Sequence, residues 1–146
     1  MRKSSDRYIL LGVFLLGMFI GGGTSYFIFN QSYENALNVF INYEINEYED
    51  LSISTFSNKP PSSAIQYQKF FIKILETRYK ASWISESDYK NKVGLSYART
   101  GYLYKVLNDS EQSGQNVELA LEFLAGAGNE ITETELMNVM SSLHNK

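Results

Sequence analysis

From Tyr8 to Phe29 the chain reads YILLGVFLLGMFIGGGTSYFIF, with no charged residue. At 1.5 Å per residue, a helix of that length crosses a hydrocarbon core of about 30 Å. No polar face interrupts the run, so the expectation is a single spanning helix. Arg2, Lys3 and Arg7 precede it and an acidic stretch follows. The positive-inside rule then places the N-terminus in the cytoplasm and residues 30–146 outside, periplasmic in a cell with an outer membrane. A cleaved signal peptide competes with this reading, since Gly23-Thr24-Ser25 offers small residues for a peptidase. The apolar run continues beyond that point to Phe29, which favours an uncleaved anchor. Gly17 and Gly21 stand four apart, a spacing that lets two spanning helices pack closely and form a homo-oligomer.

Charge is ordered along the remainder. Asn30 to Asn58 holds Glu34, Glu44, Glu47, Glu49 and Asp50 without a Lys or Arg. Lys59 to Lys105 is basic, and from Val106 onward Lys146 alone opposes a run of acids. Such an order makes elements that attract one another, or leaves a basic strip for a partner. The net charge of −3 and the absence of any Arg-rich run exclude a general nucleic-acid binder. Cysteine is absent, which removes disulfides, thiolate metal sites and cysteine nucleophiles. The single histidine, His144, lies by the C-terminus and reads as a solvated tail residue. No cofactor and no metal site is expected.

Apolar residues beyond the span recur at helical spacing. Tyr33, Leu37, Phe40, Ile41, Ile45, Tyr48 and Leu51 stripe a first helix that Asn58-Lys59-Pro60-Pro61 breaks. Ser62 or Ser63 is placed to cap a second helix, expected to be the most buried, and Trp83 to plug one end of the core. Ser85 with Asp88 forms a capping-box-like start for a third helix, and Thr132 with Glu135 repeats the device before a last one. Gly126 and Gly128 end the helix between. The fold class is all-α: a transmembrane helix followed by a small helical domain. Its parts are a basic tail (1–7), the anchor (8–29), an acidic amphipathic stalk (30–58) and a helical domain (59–146).

Within that domain, Tyr97, Gly101 and Tyr104 line one helix face, Asn108-Asp109 makes a turn, and Ser113, Val117 and Ala120 face back from the next helix. Gly94 to Ala127 resembles a tetratricopeptide repeat, a helix–turn–helix of 34 residues. Thr100 and Ala125 depart from the pattern, standing where the family prefers Leu and Pro. The resemblance implies an antiparallel hairpin that needs the neighbouring helices to bury its faces. It also implies that Ala98, Arg99, Tyr102 and Lys105 face outward and bind a protein partner.

The function expected from these features is a membrane-anchored adaptor, its exported helical domain holding a protein at the bilayer. The alternative is an accessory subunit of a membrane complex, held through the spanning helix and the acidic helix after it. Catalysis is not expected, since pairs such as Glu44 and Glu47 lack the pocket that acid–base chemistry needs.

Overall fold

The computed structural model describes the backbone of residues 3–144 and the side chains of residues 14, 17, 18 and 20–144. Five helices follow one another: α1 (Lys3–Asn58), α2 (Pro61–Lys80), α3 (Glu86–Val106), α4 (Ser110–Gly126) and α5 (Glu133–His144). Residues up to Ile41 form one unit and Asn42 onward a second. The all-α architecture is thus as the periodicity implies.

The spanning helix is not. Among the described residues no helix is long and apolar enough to cross a membrane. The expectation at Tyr8–Phe29 is corrected accordingly. Within the expected span, Ile20 to Phe29 is the part whose side chains are all described. Gly21-Gly22-Gly23-Thr24-Ser25 dilutes even that portion. The side chains of residues 1–13, 15, 16 and 19, the basic tail included, lie outside the described residues.

Local chemistry sets the ends of the helices in the second unit. Pro60 and Pro61 stop α1 and start α2, and the Ser63 and Ala64 amides both donate to the Pro60 carbonyl at 3.0 Å. No side chain caps α2, so Ser62 and Ser63 fall inside its first turn rather than at its cap. Ser85 caps α3 by accepting from the Asp88 amide, and Asp109 caps α4 by accepting from the Gln112 amide. At α5 the box is reciprocal: the Glu135 amide donates to Thr132 Oγ1 at 3.3 Å, and the Thr132 amide to Glu135 Oε2 at 3.0 Å.

The C-terminal ends share one device. Ser82, Asn108 and Gly128 have φ of 58°, 60° and 85°, just past α2, α3 and α4. After each, the next amide reaches five residues back: Trp83 to Arg78, Asp109 to Tyr104 and Asn129 to Leu124. These are Schellman closures, which satisfy the last orphan carbonyls. Glycine and asparagine suit that left-handed backbone; Ser82 bears a strain they avoid.

The most buried helix is α3, not α2. It packs against α2, α4 and α5, and its buried positions include Val93, Gly94, Ser96, Thr100, Gly101 and Leu103. A Cβ on Gly94 would stand 2.8 Å from Leu124 Cγ, and one on Gly101 the same distance from Val117 Cγ2. The earlier glycine meets the later α4 residue, so the two helices run antiparallel. They approach until α3 backbone touches α4 side chains. Phe56, Ala64, Leu103, Leu136 and Met140 build the apolar core on the other side of α3.

Two smaller expectations also change. Trp83 is 40 % exposed, with the Arg78 guanidinium 4.8 Å from its ring centroid, so it covers a surface and does not plug the core. His144 is packed, not a solvated tail. Its ring lies 5.1 Å from Phe56 and 5.3 Å from Tyr102, and its Nδ1–H donates to the Phe56 carbonyl at 2.8 Å.

Candidate functional site

The start of α2 and the end of α3 meet around an open groove of about 420 Å³, lined by Ser62, Ile65, Gln66, Lys69, Tyr104 and Leu107. Two local facts shape it. The first turn of α2 holds no acidic residue and no side-chain cap, so its positive end is not neutralised. The Schellman closure at Asn108 turns the chain sharply just past Leu107, which lines the groove and is 47 % exposed. Lys69 Nζ donates to the Tyr104 hydroxyl at 3.2 Å and lies 5.8 Å from that ring's centroid. The groove therefore offers apolar surface, a ring and a cation held in place. An acidic side chain with an apolar neighbour matches that chemistry.

A second groove, of about 450 Å³, lies between the end of α4 and the start of α5, lined in part by Leu121, Ala125, Glu130 and Ile131. Its Glu135 is already engaged by Thr132, whose hydroxyl and amide hydrogen bonds hold the carboxyl below its usual pKa. Among the described residues, no group of three or more His, Cys, Asp and Glu is placed to hold a metal ion.

The residues that sequence placed outward separate. Ala98 is fully buried in the core. Arg99 is 4 % exposed and turns toward α1, where its Nη1 donates to Ser52 Oγ at 3.2 Å. Its Nε finds no partner. Burial pushes the Arg99 pKa down, and the nearby Glu49 charge opposes that shift. Tyr102 is half-buried, its ring 5.8 Å from Phe56 and its hydroxyl 3.5 Å from Ser141 Oγ. Lys105 is exposed, two residues before the groove-lining Leu107. One member of the four thus stands at an accessible surface. Gly17 and Gly21 are exposed, and a Cβ on either would meet nothing within 4 Å. Their reading as contacts of a spanning helix falls with the span.

Sequence reasoning missed the groove itself. Gln66 and Lys69 belong to one helix and Tyr104 and Leu107 to another, some 35 residues later. No spacing within either helix marks them. The exposed Leu107 beside a helix-ending Asn was the available signal, since an apolar residue just past a helix normally packs back against it.

Comparison with protein-family models, with characterised proteins and with solved structures returns no match to this chain.

Proposed function

We propose that the unit from Asn42 onward is a non-catalytic adaptor that binds another protein through the groove between α2 and α3. The observation that carries this reading is the pairing of the exposed Leu107 with a tethered Lys69 over a concave surface. Exposed apolar residues grouped beside a fixed charge mark interaction sites more often than scattered ones do. The likeness of Gly94–Ala127 to a tetratricopeptide unit adds support, because such hairpins present surfaces to other chains. The reading makes no use of a spanning helix. The accessory-subunit alternative depended on that helix and is not retained.

Site-specific photocrosslinking in the full chain tests it. A photoreactive residue at Leu107 should capture a protein that the same residue at Leu119, exposed on α4, does not. Lys69→Glu should abolish that capture. Equal labelling from the two positions, or capture indifferent to Lys69→Glu, would refute the groove as a binding site.

A further inference from the structure

Residues 42–58 of α1 lie on α2 and α3 through a ladder of polar contacts. Glu44 pairs with Arg78 of α2 at 2.5 Å, and Glu49 pairs with Lys92 of α3. One turn on, the Ser52 hydroxyl donates to Gln68 Oε1 at 2.7 Å, and the Gln68 amide donates to the Ser52 carbonyl at 2.9 Å. Ser52, Gln68 and Arg99 are all buried at this layer, and Phe56 closes the row below it. Seen without its occupant, the receiving face carries the Gln68 amide and three cations, Arg78, Lys92 and Arg99, with the Phe70 ring that Tyr48 meets.

Two of those cations have carboxylates. Arg99 does not. Its nearest acid, Glu49, is held by Lys92, and the atom facing it from α1 is a neutral hydroxyl whose own proton goes to Gln68. A guanidinium carries five donors in a planar fork shaped for a carboxylate, and here Nε has no acceptor at all. A buried charge without a counter-charge is costly. The resident segment therefore meets this guanidinium with no counter-charge, and the α1 group that faces it is the neutral Ser52 hydroxyl on Nη1.

We infer that the α2–α3 face beneath residues 42–58 is an acceptor for an acidic amphipathic helix of a partner protein, one that places a carboxylate where Ser52 now sits. The α1 segment is the resident, weaker occupant, and Arg99 sets specificity by demanding that carboxylate. Covalent attachment gives α1 a high effective concentration, which a free helix must overcome through the better match at Arg99. The face is thus kept covered until a helix with the right acid arrives. It lies apart from the groove at Leu107, and the variants below leave Lys69 and Leu107 unchanged. Crosslinking at Leu107 therefore reports on the adaptor reading independently of this one.

The test uses the full chain and two labelled peptides spanning residues 42–58, one unchanged and one carrying Ser52→Asp. In the chain itself, Ser52→Asp should raise the melting temperature by about 5 °C, and the gain should vanish in an Arg99→Met background. Arg99→Lys keeps the charge but not the fork and should retain only part of it. The Asp peptide should bind the unchanged chain at least about tenfold more tightly than the Ser peptide. It should lose that advantage against the Ser52→Asp chain, whose α1 holds the face more firmly. A lowered melting temperature or failure to fold on Ser52→Asp would overturn the proposal, since the face would then reject a carboxylate. So would equal binding by the two peptides, or none up to about 1 mM.

Discussion

Two of the interfaces that α3 makes are held by different physics. Toward α4 it presents Gly94 and Gly101, and the helices close until a Cβ would collide with Leu124 or Val117. Dispersion and exclusion of water hold that contact, and no ion pair crosses it among the described residues. Toward α1 it presents Lys92 and Arg99, which meet the Glu49 carboxylate and the Ser52 hydroxyl, and Tyr102, whose ring packs on the buried Phe56. The first interface tolerates almost no change of shape. The second can be remade with other polar partners, because each of its bonds has a counterpart in water. On the proposal above, the first is the permanent joint and the second the one that exchanges.

The largest effect should come from the anchor of the exchangeable joint. Phe56→Ala removes a fully buried ring and should cost about 3–5 kcal/mol. Amide exchange should then rise throughout residues 42–58 while the α3–α4 hairpin stays protected. Equal loss of protection in both places would erase the distinction between the joints. Next comes the permanent joint. Gly101→Val forces a branched side chain against Ser113 O and Val117 N, backbone atoms at 3.2 and 3.3 Å that cannot rotate away, and should cost about 2–3 kcal/mol by chemical denaturation. If it proves neutral, the close approach is not what holds the hairpin. Lys92→Met should cost about 1 kcal/mol and reduce the salt sensitivity of α1 opening, read by exchange at low and high ionic strength. Salt should leave exchange within the hairpin unchanged.

The smallest effect concerns α5, which touches both joints. Thr132 holds the Glu135 pKa below its ordinary value through side-chain and backbone hydrogen bonds. A carboxylate with a depressed folded pKa contributes stability that is complete above its unfolded pKa and is lost as pH falls through the folded one. Fraying of the first turn of α5, followed by amide chemical shifts, should therefore begin below about pH 5. Thr132→Ala should remove that pH dependence while lowering helicity of the turn at neutral pH. A transition unaffected by Thr132→Ala would place the titration elsewhere, for example at Glu86, whose pKa Lys90 also lowers.

Much of the secondary structure was legible because its signals are local. The capping pairs Ser85–Asp88 and Thr132–Glu135, the break at Pro60-Pro61 and the left-handed Gly128 each act within a few residues. The long apolar run before Asn30 pointed to a span, whereas among the described residues no helix is long and apolar enough to cross a membrane. The centre of the second unit misled for a different reason. Beside Val93, Ala98 and Leu103, the buried positions of α3 are Gly94, Ser96, Arg99, Thr100 and Gly101, so apolar periodicity passes over most of them. Outward positions read from a family-like register placed Ala98 and Arg99 in the open, whereas Ala98 is buried in the core and Arg99 turns to Ser52 of α1. The register carries no information about helices outside the hairpin.

The amino-acid sequence by itself determined where helices in the second unit begin and end, since a cap or a proline acts on its own backbone whatever lies beside it. Tertiary structure alone decided which of their faces became interior. A glycine is a close contact only if Leu124 arrives, and Arg99 is buried only because α1 lies over it. His144 joins the core only because Phe56 and Tyr102 meet it there. Burial is a property of pairs of surfaces, and one strand of sequence names at most half of each pair.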